Sequence, residues 1–438
     1  MDEIDKRILS FLFKDGRISL IDISNNLLRY GIKISTPSIK RRISQLVESG
    51  IIRKFGIILN YDQLDLASLA FINLKVEPSV ILRVAKNISL LPEVQDVYIV
   101  QDDYNLLVNV RCKDYKEVSA LIERFSSSRY VKDVKTCVVL DSYSKSNLAS
   151  QILKEADILT VDIDRDGKEE IILDNPILST IIKPHLGGRV SEIIFKETGN
   201  NQVKTDNGFL LDNFAEEGWG SLANLSYEYE VLEANKKLVT VKLSRLFNGS
   251  KLKNILLEKK ITSYSNNSML RIDYKILNKS ETDQKVTFWI SNYVAVGGDI
   301  DEEDCFFLPI EGKMESEMYK RQSYHVMWPV ENPEVLGEEA SHYIKIEQPE
   351  IREQKISDGW AAWMDTRSEE IVSFFWNKKE VVYIKRCFLL NSYSFEIIFK
   401  TIELKPNQSK DYSFFVMIAK GGQDLVWQQN EKLSKEFK

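Results

Sequence analysis

Eight polar side chains near the N-terminus, Thr36, Ser38, Lys40, Arg41, Arg42, Gln45, Arg53 and Lys54, have the types that read or hold a nucleic acid. Between Thr36 and Gly50 the apolar residues Ile39, Ile43 and Leu46 recur at helical spacing, which predicts an amphipathic helix. Ser38, Arg41 and Gln45 fall on the opposite face, at i, i+3 and i+7, flanked by Lys40 and Arg42. A guanidinium can fork onto a guanine edge, a glutamine amide can pair with adenine, and serine or lysine can hold phosphate. Thr36 is expected to N-cap this helix, with Pro37 at its first position, where a missing N–H costs nothing. Gly50 is expected to end it. Arg53 and Lys54 follow in the short β-branched stretch Ile51–Leu59, which reads as a wing hairpin. The partner such a set fits is double-stranded DNA.

A second set of residues points to carbohydrate. All seven tryptophans lie between Trp219 and Trp427. Sugar rings stack their apolar C–H faces on aromatic rings, and their hydroxyls seek planar polar groups. Trp219 stands in a Gly218-Trp219-Gly220 turn, Trp328 follows Tyr324-His325-Val326-Met327, and Trp360 and Trp363 follow Asp358-Gly359. These four tryptophans are the candidate platforms. Arg189, Asp212, Asn292, His325 and Asp365 are the candidate polar partners. Trp289 and Trp376 stand in apolar runs and are expected in the core. Sugar epimerisation needs an acid and a base on opposite sides of the ring. The three histidines, His185, His325 and His342, stand in no such pairing, so no catalytic residue is assigned. Asp162-Ile163-Asp164-Arg165-Asp166-Gly167 has the first half of a calcium loop, but its twelfth position is Leu173 rather than Glu. A polar β-turn is expected there. No zinc-ligand spacing occurs, and neither a metal nor a cofactor is expected.

These side chains need elements to hold them. At 438 residues the chain is long enough for two or three domains. A composition 43% hydrophobic and 28% charged excludes a disordered or collagenous chain. No run of 18 uncharged apolar residues suggests a membrane helix, and the acidic start Met1–Asp5 is no secretory signal. The four cysteines, Cys112, Cys137, Cys305 and Cys387, are far apart and read as free thiols, which places the protein in the cytoplasm. Net charge is −6, yet residues 1–60 carry eleven Lys/Arg against six Asp/Glu, a head of +5 on a remainder of −11. That asymmetry fits local contact with a polyanion.

Residues 1–60 predict an all-α winged helix-turn-helix. Ile4, Ile8, Leu9 and Leu12 mark its first helix, and Leu20, Ile23 and Leu27 its second. Residues 61–141 predict an α+β ferredoxin-like βαββαβ module. The polar stretch 142–150 reads as a linker. From 151 to 438 short apolar runs alternate with turn signals such as Asp166-Gly167, Asn207-Gly208 and Asn248-Gly249, which predicts one large all-β sandwich.

Three segments make the N-terminal part resemble the Lrp/AsnC family of regulators: Asp2–Leu9, Asp15–Leu20 and Lys40–Ile52. The βαββαβ unit looks like that family's ligand and dimerisation module, which implies a homodimer or higher even oligomer. Two departures stand out. The turn Leu28–Ser35 is several residues longer than the family's tight turn. Gln101-Asp102-Asp103-Tyr104-Asn105 replaces the glycine-bearing stretch where amino-acid effectors approach the backbone, so the module is expected to act as a dimeriser. The C-terminal part is similar to the galactose-mutarotase-like β-supersandwich. The matching text is Asp164–Asn175, Ile181–Val190, Phe209–Phe214, Leu257–Ile261, Leu270–Asn278 and Ile402–Ser409. The resemblance implies a carbohydrate effector. The expected protein is a sugar-responsive transcription regulator without enzymatic activity or membrane attachment. The alternative is an aldose epimerase or glycoside hydrolase-like enzyme under an N-terminal DNA-binding control module.

Overall fold

The computed structural model describes residues 1–57, 59–141, 153, 155–204, 207–318, 324–330, 336–338, 341–342, 344, 348–389 and 392–437. The expected linker 142–150 lies outside them. Contacts divide the chain into two compact units, Met1–Glu48 with Asn147–Lys438, and Ser49–Ser146. The N-terminal helices thus share a unit with the β-region.

Helix α1 spans Glu3–Lys14, α2 Leu20–Arg29 and α3 Thr36–Glu48. Asp2 opens α1 with a reciprocal capping box to Asp5, and the Ser19 hydroxyl accepts the Asp22 N–H at 3.0 Å to start α2. Ile8, Ile23, Leu27, Ile39 and Leu46 are buried between the three helices. Two expectations need correction. Thr36 lies inside α3, so it is not the cap; the Ser35 carbonyl accepts the Ile39 N–H at 3.0 Å, one residue earlier than the proline pattern indicated. No strand forms among the described residues of 51–59, so the expected wing hairpin is not seen among them. Phe55 is 55% and Ile57 80% exposed, and β-branched residues stay in a ladder only where a neighbouring strand and a covered face hold them.

The second unit is a four-stranded antiparallel sheet. Its elements are β1 Ser68–Val76, α4 Ile81–Ile88, β2 Val94–Ile99, β3 Leu106–Cys112, α5 Tyr115–Ser126 and β4 Val131–Val138. The strand order β2-β3-β1-β4 is the split βαβ arrangement. Ala70, Ile72 and Leu74 on β1 and Val108 and Val110 on β3 are buried against Val84, Ile88, Val118, Leu121 and Phe125 of the helices. The opposite face carries Leu69, Phe71, Tyr98 and Leu107, brought together by the register and uncovered by any helix of this unit.

The β-region starts with a four-stranded sheet of β5 Asp157–Val161, β6 Glu170–Asp174, β7 Leu178–Lys183 and β8 Arg189–Phe195. Then follow β9 Leu211–Phe214, β10 Glu228–Ala234, β11 Leu238–Phe247, β12 Ile255–Tyr264, β13 Met269–Asn278, β14 Gln284–Val286, β15 Phe288–Tyr293, β16 Asp304–Ile310 and β17 Lys313–Met318. The remainder is β18 Tyr324–Pro329, β19 Glu350–Ile351, β20 Trp360–Asp365, β21 Glu370–Trp376, β22 Val381–Leu389, β23 Ser392–Phe399, β24 Ile402–Leu404, β25 Ser409–Lys420 and a closing helix, α6 Gln423–Leu433. A nine-stranded sheet, β10-β11-β12-β13-β25-β21-β20-β16-β17, and a six-stranded sheet, β19-β18-β22-β23-β15-β9, share one apolar core with the first sheet. Val426, Trp427 and Leu433 of α6 cover Trp360, Phe375 and Phe415 on the other face of the large sheet. Strands covered on both faces read as unbroken apolar runs, as in Phe374-Phe375-Trp376 and Phe414–Ile418.

Candidate functional site

The face of α3 turned away from Ile39 and Leu46 presents Lys40, Arg41 and Gln45 to solvent, with Ser38 and Thr36 half-buried beside them. Arg41 and Gln45 are one turn apart on that face, the spacing needed to reach successive base edges. Arg42 does not join them. Its guanidinium donates to Asp2 at 2.8 Å and to Asp5 at 2.7 Å, which fastens α3 to the N-terminus of α1. The Asp5 backbone N–H, and then Arg42, hold the Asp2 carboxyl below its ordinary value. Arg53 and Lys54 are exposed on irregular backbone after Gly50.

What holds this head is not evident from the sequence. Arg7, 1% exposed, sits on the inner side of α1 and pairs with Glu155 at 2.6 Å and Glu3 at 3.2 Å. The Tyr30 ring lies 4.1 Å from its guanidinium carbon. Burial, then the Asp157 carboxylate, push the Tyr30 hydroxyl up to about 12. Lys14 binds Asp157 and donates to the Ile158 carbonyl at 3.1 Å, and Lys236 pairs with Glu3. The long turn after α2 thus has a physical role: it supplies the ring that covers Arg7. The available signal was an arginine between apolar Ile4 and Ile8, where an unpaired charge would be costly.

The sugar-candidate residues are not gathered into one cleft. Trp328, Trp360 and Trp363, three of the four candidate platforms, do not face solvent: all three lie on strands and are 3%, 0% and 1% exposed. Trp328 and Trp363 both pack on Phe306, with ring centroids at 5.9 and 4.3 Å. Trp360 points the other way, edge-on to Trp427 at 6.1 Å under α6. Trp289 and Trp376 are buried. Only Trp219 is an exposed tryptophan, at 50%.

Arg189, Asp212 and Asn292 converge on the segment 207–212, but as its internal supports. Asn292 accepts the Leu210 N–H at 3.0 Å and Lys259 donates to the Leu210 carbonyl at 2.9 Å, holding Leu210 at φ +59°. A leucine there carries strain that only such fixed partners sustain. Arg189 donates to the carbonyls of Leu186 at 2.9 Å and Asn207 at 3.1 Å. Asp212 accepts from Lys259 at 2.8 Å, Tyr227 at 2.9 Å and Tyr274 at 2.5 Å, all buried. Burial pushes the Asp212 carboxyl up and the Lys259 ammonium down, and the pairing offsets part of both costs. His325 is half-buried on β18, paired in register with Cys387. Asp365 ends β20 and accepts from the Arg367 N–H at 2.9 Å and the Ser368 hydroxyl at 2.9 Å. The remaining histidines, His185 and His342, lie elsewhere, and His342 is exposed.

No helix among the described residues is long and apolar enough to cross a membrane. A family model for winged helix-turn-helix DNA-binding matches residues 1–53, and one for the Lrp/AsnC ligand binding domain matches residues 69–149. The HTH-type transcriptional regulator FL11 of Pyrococcus abyssi is 36% identical over 146 residues, 33% of this chain and 93% of its own. The FL11 protein of Pyrococcus horikoshii is 35% identical over the same length. Bacillus subtilis LrpC, a solved structure, is 22% identical, covering 33% of this chain and 97% of its own, with a TM-score of 0.30.

Proposed function

The chain belongs, through its N-terminal third, to the Lrp/AsnC family and is a DNA-binding transcription regulator of that type, and from that premise we propose that its β-region senses a carbohydrate and transmits the bound state to α3 through the Arg7 contact. The observation that carries this reading is the buried Glu155–Arg7–Tyr30 cluster, which fastens α1 to the start of the β-region. A change at that start therefore acts directly on the frame that holds the reading helix. The ordered resemblance to mutarotase-like sandwiches supports carbohydrate as the effector class, and exposed Trp219 offers a ring face. The uncovered face of Leu69, Phe71, Tyr98 and Leu107 supports pairing of two chains through the βαββαβ unit. The protein binds sugar without transforming it and acts in the cytoplasm.

The test is a pair of titrations. A thermal-shift screen of the full chain against a sugar library identifies the effector, and sugar affinity is then measured with and without operator DNA. Coupling of about 1–3 kcal/mol is expected, equal in both directions. Glu155→Gln should reduce that coupling while leaving α3 and the DNA affinity of the free protein close to wild type. Identical sugar affinities with and without operator would sink the sensing role. Turnover of the bound sugar would favour the enzyme reading.

A further inference from the structure

The loop between β5 and β6 and the turn after β7 place a histidine and two carboxylates together. Donor atoms of Asp166, Glu170 and His185 lie within 4.8 Å of one another. His185 Nε2 and Asp166 Oδ2 are 3.5 Å apart, a separation two ligands of one ion can have. Glu170, the first residue of β6, is 1% exposed, and one of its oxygens is held by the Ile163 N–H at 2.8 Å. Its other oxygen, Oε1, is buried without a hydrogen-bond partner. Both ring nitrogens of His185 are also buried without one. A buried carboxylate oxygen and a half-buried imidazole whose two nitrogens lack a hydrogen bond each carry a desolvation cost, offset at His185 only in part by the Asp166 carboxylate 3.5 Å away. A cation between them would offset both.

The register explains why these residues meet. Ile171 of β6 pairs with Ile182 of β7, so Glu170 stands beside the end of β7 and His185 follows two residues after it. Asp166 reaches in from the loop. Its Oδ1 is fixed by the Lys168 N–H at 2.8 Å, which leaves Oδ2 turned to the imidazole. Asp164 is outside the set, because Lys183 donates to it at 2.6 Å. Asp162 accepts the Gly167 N–H at 3.0 Å through Oδ2 and adds further negative charge nearby.

We propose that Asp166, Glu170 and His185 form a binding site for one divalent transition-metal ion of the zinc or manganese type. An imidazole with two carboxylates suits that class, whereas calcium and magnesium favour sites built from oxygen alone. Ligand distances of about 2.0–2.2 Å require the Asp166 loop to close inward on the ion. Three protein ligands leave further positions to water. Only the oxygen-rich half of this loop is legible in the sequence, because His185 is distant in the chain and joins through strand pairing.

The experiment uses the full chain, stripped with a chelator and desalted. ZnCl2 and MnCl2 are titrated by calorimetry, with MgCl2 and CaCl2 as controls, and bound metal is counted by elemental analysis. One ion per chain is expected, at least tenfold tighter than magnesium or calcium. CoCl2 should give visible d–d absorption at the same stoichiometry. Asp166→Asn and His185→Ala should each weaken binding at least tenfold, and Asp164→Asn should stay within twofold of wild type. Asp166 lies in an exposed loop, so Asp166→Asn keeps the test valid even where His185→Ala fails to fold. Absence of stoichiometric metal in the wild type, or unchanged affinity in Asp166→Asn, overturns the site.

Discussion

Helix α3 and strand β20 place their large polar and aromatic residues in opposite ways. On α3, Lys40, Arg41 and Gln45 face solvent while Ile39 and Leu46 are buried. On β20, Trp360 and Trp363 point to different faces, and both are buried, one beneath α6 and the other in the core shared by the sheets. A surface helix has one wet side, so its 3.6-residue period separates residues that contact a partner from residues that pack. A strand covered on both faces has no wet side, and its two-residue period separates only one core from another. Residue type is therefore a guide to contact on α3 and a poor one on β20.

The largest effect that could break this comparison is at Trp363. Replacing it with alanine should destabilise the protein by about 3–5 kcal/mol, because the ring packs on Phe306, Phe374 and Phe395 and leaves a cavity. Urea denaturation of the full chain measures it. A loss below about 0.5 kcal/mol, the range of surface substitutions, would mean the tryptophan is available to a ligand after all.

The next effect sharpens the other side. Arg41→Ala should cost about 1–3 kcal/mol of operator affinity and relax base preference, with the fold intact. Lys54→Ala should weaken all sequences evenly and flatten the salt dependence. Arg42→Ala should act first on stability, since its guanidinium joins α3 to Asp2 and Asp5. Operator binding by the three variants, measured beside their thermal midpoints, separates base contact, phosphate contact and support. Equal loss of DNA affinity without any loss of stability in Arg42→Ala would return that residue to the DNA-facing set.

What was readable in the chain follows the same division. The three helices and the βαββαβ order were legible because each element has one covered face and a clear period. The all-β character was legible from turn signals such as Asn207-Gly208 and Asn248-Gly249. Ile51–Leu59 has strand-forming residues, but among its described residues no ladder forms, because no second strand pairs with them. The burial of Trp360 was not legible because Asp358-Gly359 marks a turn and β20 begins immediately after it, at Trp360. Arg7 is one of the eleven Lys/Arg of residues 1–60, and its partner Glu155 lies 148 residues away. Such pairings depend on how separate elements pack, and no local period encodes them.

A smaller effect distinguishes two buried carboxylates within the β-region. Asp212 has Lys259 as its counter-ion, whereas Asp304 is pushed up to about 7, chiefly by burial, with Asp365 and Asp301 adding repulsion against the pull of the Asp301 N–H and Arg367. In the unfolded chain an aspartate titrates near about 3.9. The folded state therefore holds the Asp304 proton over the intervening range. Its contribution to stability is full below about 3.9 and is lost as pH rises through about 7. Asp304→Asn should flatten that part of the stability–pH curve. An unchanged slope between pH 4 and 7 would place the titration elsewhere.

The smallest expected change in stability is at Trp219, and it bears most directly on the sensing role. This ring is 50% exposed between Gly218 and Gly220, both at positive φ, so the turn is set by backbone that glycine adopts readily rather than by packing of the indole. Trp219→Ala should move the unfolding free energy by no more than about 0.5 kcal/mol. A ring that stacks on a sugar would nevertheless remove most of the ligand-induced thermal shift when it is lost. The pair Trp363→Ala and Trp219→Ala thus separates two uses of the same residue type: one should lose stability with the core, and the other should lose only the response. A full sugar response in Trp219→Ala would move the carbohydrate contact away from the tryptophans, because Trp289, Trp328, Trp360, Trp363 and Trp376 are buried and Trp427 packs from α6 onto Trp360.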